Sequence, residues 1–252
     1  MCMSFDSLAN TRSDSEIPVD IMDLELHINI WNFGAAAGRP GAEEFSKRED
    51  EMSQTATGIL RIEHQAILRV LGVAEEVSKR IDGGESVGAT SLQEILEFLK
   101  VFADACHHGK EEDLLFPALE RKGMPREGGP VGVMLIEHEQ GRALIREMSE
   151  AAANLASGNS AAARRWAAAA REYIALLRNH IVKEDNILFV MAERALTDAE
   201  QAQLLEEFEK VETRKMGPGT HERMHALMEK LCAEFGVAAD PPAAIGHGCG
   251  CR

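Results

Sequence analysis

The sequence predicts an all-α protein: a four-helix bundle made of two helical hairpins, with additional C-terminal helices. Three observations predict it. From Thr57 onward apolar residues recur at helical spacing, a central segment returns 73 residues later, and Gly- and Pro-rich breaks cut the chain into helix-length pieces. In the first helix Leu60, His64, Ile67, Leu68 and Leu71 share a face at i, i+4, i+7, i+8 and i+11, and Asp82-Gly83-Gly84-Glu85 ends it. The second helix runs from about Ser91 to Arg121, with Pro117 expected to disturb its last turns. Lys122 to Pro130 is the central connection. The third helix extends from about Val131 to Ala156, Gly158-Asn159-Ser160 makes a turn, and the fourth runs from about Ala161 to Leu196. Thr197-Asp198-Ala199-Glu200 has the form of a capping box and opens a short helix to about Thr213. After the break at Met216-Gly217-Pro218-Gly219, a last helix spans Thr220 to Phe235; these two helices are expected to pack outside the bundle.

The domain reading follows. Residues 1–51 carry 11 acidic against 4 basic residues and no sustained helical period, so they read as an acidic, disordered or variable extension, in which 28–33 could form one docking element. Residues 52–196 form the bundle, with Met52 as an ordinary start, 197–235 the appended helices, and 236–252 a flexible Gly/Cys tail. The net charge of −15 and the absence of a Lys/Arg cluster exclude a nucleic-acid-binding surface. No apolar run approaches a membrane span, and no basic flank with an apolar core opens the chain, which points to a cytoplasmic protein that does not enter membranes. Cys2, Cys106, Cys232, Cys249 and Cys251 are odd in number and read as free thiols; Cys249-Gly250-Cys251 with His247 is a weak metal or redox signal.

The repeat carries the chemistry. His107-His108-Gly109-Lys110-Glu111-Glu112 and His180-Ile181-Val182-Lys183-Glu184-Asp185 contain one His-x-x-x-Glu device twice, and the Gly58…Glu63-His64 segment returns as Gly132…Glu137-His138 at an offset of 74. Four residues of helix advance by about 400°, so His107 and Glu111 project together, as do His180 and Glu184. His64 and His138 each lie in an apolar stripe. Singly, each is an ordinary core histidine. Together, four imidazoles and two carboxylates in one core would cost several kcal/mol per buried charge without compensation, whereas metal ions neutralise the acids and use the nitrogen lone pairs. The metal set is therefore His64, His107, Glu111, His138, His180 and Glu184. Oxygen and nitrogen donors without thiolate suit iron, manganese or zinc rather than copper(I) or an iron–sulfur cluster. The internal alignment pairs His108 with Ile181 and Glu112 with Asp185, which places His108 and Glu112 behind the ligands or at the surface. A one-residue slip to His108 and Glu112 keeps the same spacing and stays open.

These residues resemble the hemerythrin-like, or HHE cation-binding, family in the pattern His, His-x-x-x-Glu, His, His-x-x-x-Glu and in the His107 to Pro117 run, over roughly Gly58 to Phe189. The resemblance implies an up-down-up-down bundle of hemerythrin type with two non-haem iron ions, Glu111 and Glu184 bridging them and the four histidines terminal. It implies a small diatomic ligand, oxygen or nitric oxide, or peroxide as partner, in sensing or stress protection. Two alternatives are a di-iron peroxidase or catalase-like enzyme assisted by Arg142 or Tyr173, and an iron- or zinc-responsive regulatory module. One departure matters: oxygen carriers have a histidine one turn after the third-helix ligand, where this chain has Arg142. Water, oxygen or another side chain must fill that place on the iron nearest His138. Tyr173 shares a face with His180 and reads as packing; His221 and His225 read as surface or capping residues. Leu115-Phe116 and Leu188-Phe189 read as core plugs that keep the site dry.

Overall fold

The computed structural model describes residues 55–215, 217 and 219–238. The acidic extension at 1–51, its element at 28–33, Met52 and the tail with Cys249 and Cys251 lie outside the described residues. Among the described residues the protein is all-helical. Helix α1 is Ala56–Asp82, and Thr55 caps it by accepting a hydrogen bond from the Gly58 amide at 3.1 Å. Helix α2 is continuous over 89–121 but changes gauge: α-helix at Ala89–Phe98, π-helix at Leu99–His108 and Glu111–Leu115, and α-helix again at Phe116–Arg121. Helix α3 is Pro130–Ala156 and α4 covers 162–195, with a π-helical turn at Glu184–Leu188. Helices α5 and α6 are Asp198–Lys215 and Thr220–Phe235.

The expected disturbance at Pro117 falls one turn earlier, where the backbone widens at Glu111–Leu115. Proline alone does not explain it, because α4 widens at the equivalent Glu184–Leu188 without one. What the two stretches share is a buried glutamate at the start of the wide turn, and π-turns recur at functional sites.

Helix α3 packs on α4, α4 on α1, and α2 on α3. Their apolar faces form two clusters rather than one. At one end Leu60, Leu115, Phe116, Val131, Met134, Leu188 and Phe189 pack together. In the other direction Ile67, Leu71, Phe98, Phe102, Trp166 and Ile174 do so. Leu115, Phe116, Leu188 and Phe189 are fully buried, as core plugs should be. The buried His64, His107, Glu111, His138 and Glu184 lie on the stretches of helix between the two clusters. Helices α5 and α6 cover the outside of α1 and α2, and they are more than appendages: Phe208 completes the first cluster, and Met224, Leu231 and Phe235 the second. None of the described helices is long and apolar enough to cross a membrane.

Candidate metal centre

All six sequence-predicted residues come together, each at most 1% exposed. With His108 they form two overlapping groups, in each of which one donor atom per residue lies within 4.8 Å of the others: His64, His107, Glu111 and Glu184 in one, and His108, Glu111, His138 and His180 in the other. The two carboxylates straddle the groups. Glu111 lies 3.7 Å from His107 Nε2 by Oε1 and 3.5 Å from His138 Nε2 by Oε2. Glu184 Oε2 lies 3.2 Å from both His64 Nε2 and His180 Nε2.

His108 is the unexpected member. The internal alignment places it behind the ligands or at the surface, yet it is 4% exposed, and its ring stacks on His138 with centroids 3.9 Å apart. It lies on the π-helical stretch, where a wider turn advances each residue by less than the about 100° of an α-helix, so His107 and its neighbour both turn inward. Glu112, by contrast, lies where the alignment puts it, behind His138.

Each of the five histidines has the same arrangement. The Nδ1 atoms meet carboxylates: His64 to Asp185 at 2.8 Å, His107 to Glu63 at 2.9 Å, His108 to Asp104 at 3.4 Å, His138 to Glu112 at 2.7 Å and His180 to Glu137 at 3.0 Å. A cation stands behind each carboxylate. Lys110 holds Glu63, Lys183 holds Glu137, Arg61 lies 4.0 Å from Asp185, and Arg142 reaches both Asp104 at 2.8 Å and Glu112 at 2.7 Å. A carboxylate that accepts from Nδ1–H fixes the tautomer and leaves Nε2 as a lone-pair donor, the arrangement metal-ligating histidines adopt.

The inner atoms are unsatisfied without a cation. Among the described residues, both oxygens of Glu111 and of Glu184, and Nε2 of His64 and of His108, have no hydrogen-bond partner. The Nε2 atoms of His138 and His180 face each other at 3.1 Å, so two lone pairs would repel if both Nδ1 atoms carry the proton. Protons must otherwise do what an ion would. Burial and the neighbouring Glu184 push Glu111 well above the usual carboxylate range. Burial pulls His64 down, but the facing carboxylates of Asp185 and Glu184 outweigh it and raise the ring to about 9. Burial lowers His107 to about 4 and His138 to about 3, which keeps both neutral and able to donate a lone pair. The donor set thus fits a pair of cations sharing two carboxylates, and burial pushes the Cys106 thiol up to about 12, so no thiolate competes.

Other sequence candidates fall outside the site. Tyr173 is buried against Gly141 with its hydroxyl unpartnered among the described residues, but it belongs to neither group. His221 and His225 pack on the Phe102 ring, each with centroids 5.7 Å away. His221 forms a third acidic group with Glu63 and Glu212, but the Lys110 ammonium already bridges those two carboxylates. Apart from Glu112, sequence reasoning missed the carboxylates and cations behind the histidines. A signal existed: Glu63 and Glu137, Lys110 and Lys183, and Glu112 and Asp185 are all related by the repeat.

Compared with known proteins, residues 55–192 match the family described as Hemerythrin HHE cation binding domain. Uncharacterized proteins of Mycobacterium bovis and of Mycobacterium tuberculosis are each 27% identical over 169 residues, covering 67% of this chain and 66% of theirs. The chain thus spans just under two thirds of the length of those relatives. No solved structure matches.

Proposed function

From the premise that the chain belongs to the hemerythrin HHE cation-binding family, we propose that it holds two non-haem iron ions in an up-down-up-down four-helix bundle. There it binds oxygen, nitric oxide or a related small ligand, in sensing or stress protection in the cytoplasm. The observation that carries the reading is the sharing of Glu111 and Glu184 between two groups of buried histidines. In this reading His64 and His107 would hold one ion and His138 and His180 the other, with Glu111 and Glu184 serving both. When bound, two neighbouring reduced irons would supply the electrons needed to retain a diatomic ligand.

The protein's own part is to hold and to shield. The carboxylates behind the rings hold every imidazole with its Nε2 turned inward, so the site is organised before an ion arrives. Phe189 stacks on His64 with centroids 5.5 Å apart and Phe116 on His138 at 5.9 Å, and these rings close the site toward the Leu60 cluster. Loss of an activated ligand to water is thereby slowed. The free, buried thiols of Cys106 and Cys232 accord with a reducing compartment.

Metal analysis together with an anaerobic ligand titration tests this. Purified protein is expected to carry about two irons per chain, as the duplicated ligand set requires, and the chemically reduced form is expected to change its visible spectrum on addition of oxygen or nitric oxide. One iron per chain, or a reduced protein whose spectrum neither gas alters, would refute it.

A further inference from the structure

The duplicated site is not symmetric. The repeat relates α1 to α3 and α2 to α4, and it conserves the supporting carboxylates and lysines as well as the candidate ligands. Among the positions where it fails, three lie together. His108 corresponds to Ile181, Asp104 to Leu177 and Arg142 to Leu68. On the side formed by α4 and α1, Leu177 and Ile181 are buried in the core and Leu68 packs against it. On the side formed by α2 and α3, the three polar residues are joined: His108 Nδ1 lies 3.4 Å from Asp104 Oδ1, and Arg142 Nε donates to the same oxygen at 2.8 Å. Three coordinated exchanges of apolar for polar residues at one place indicate one device.

The device points at the centre. Among the described residues His108 Nε2 is buried and unpartnered, and it belongs with His138, His180 and Glu111 to one ligand-sized group. A buried ring nitrogen without a partner forfeits the free energy of hydration that a neighbouring cation would restore. We propose that His108 is a third histidine ligand to the ion held by His138 and His180, and that Asp104 and Arg142 position it.

This rests on the paired-ion reading and refines it. Arg142 stands where oxygen carriers have their third-helix histidine, and His108, reaching in from α2, fills the place that exchange leaves. Arg142 cannot ligate, but its guanidinium grips the carboxylates behind two rings, His108 through Asp104 and His138 through Glu112. The ion beside His138 is then the fuller one. The ion beside His64 and His107, with two histidines, keeps the room for an outside ligand, which reverses the assignment drawn from Arg142 alone.

The test uses the full-length protein loaded with cobalt(II), whose paramagnetism shifts the ligand protons out of the protein envelope in proton NMR. Each ligating ring whose Nδ1–H faces a carboxylate adds one shifted resonance that disappears in deuterium oxide. Five are expected in the wild type, one for each of His64, His107, His108, His138 and His180. This count needs no variant to fold. In His108→Phe, chosen to keep a buried planar ring, four are expected, and the second cobalt should bind about 10- to 100-fold more weakly. Arg142→Leu should move the resonances of His108 and His138 and leave the other three in place, which a general loss of packing would not do. Two cobalt ions with four shifted resonances in the wild type would overturn the His108 assignment alone. One cobalt ion per wild-type chain would overturn the paired-ion reading and this assignment with it. An Arg142→Leu spectrum in which all five move alike would refute the positioning role.

Discussion

Replacing Lys110 with methionine should destabilise the protein markedly, even though Lys110 is not a ligand. Its ammonium is fully buried, 0% exposed, and bridges Glu63, itself buried, and the partly exposed Glu212. Removing one partner of a buried ion pair costs about 3–5 kcal/mol, because the other charge is left without compensation. Glu63 retains the Nδ1–H of His107, and Glu212 can turn to water, so the lower end applies, about 3 kcal/mol. For a domain of this size that corresponds to a fall in Tm of about 6–12 °C.

The pH dependence should change as well. Burial pushes Glu63 up, but Lys110 and then His107 outweigh it and hold the carboxyl at about 2 against an ordinary 4.5. A depressed carboxylate stabilises the fold above its unfolded pKa, and that contribution is lost as pH falls from about 4.5 toward about 2. The Lys110→Met variant should lack most of this acid-side loss. Urea unfolding of the metal-loaded and chelator-stripped full-length protein measures the effect, and the double variant Glu63→Gln with Lys110→Met should recover much of the stability. A cost below about 1 kcal/mol for Lys110→Met alone, or no recovery in the double variant, would show that the buried bridge does not constrain the site.

Two further substitutions probe the scaffold. A Cβ at Gly132 would clash with the carbonyl oxygen of Arg126, where the central connection folds back over the start of α3; because backbone cannot yield as a flexible side chain can, Gly132→Ala should cost about 1–3 kcal/mol in urea unfolding. At the start of α5, the Thr197 amide and hydroxyl both donate to Glu200 Oε2 at 2.9 Å, and Thr197 Oγ1 accepts from the Glu200 amide at 3.4 Å. Thr197→Ala should lower stability by about 1 kcal/mol and speed amide exchange in the first turn of α5, while unchanged exchange there would show that the cap contributes nothing.

The internal comparison shows where sequence reasoning holds and where it stops. Helical period placed six helices close to their observed bounds, since Leu60, Ile67 and Leu71 need only the geometry of their own helix to share a face. The same local geometry placed Glu111 one turn after His107 and Glu184 one turn after His180. His108 was expected behind the ligands or at the surface because an alignment of two halves reads what they share. The widened turn that brings it inward, and the exchange of Leu177, Ile181 and Leu68 for Asp104, His108 and Arg142, are what they do not share.

By itself, then, the sequence determined what lies along a single helix: the apolar stripes, the caps, and the paired histidines and glutamates, because a 3.6-residue period is a property of the segment that carries it. Only the tertiary structure decided what lies between helices. Glu63 serves His107 from α1, Glu137 serves His180 from α3, and Asp185 serves His64 from α4, each across a gap set by how the helices pack. It also decided that Arg142 closes on Asp104 and Glu112. Those pairings depend on distances between helices packed side by side, and no spacing along the chain encodes such a distance.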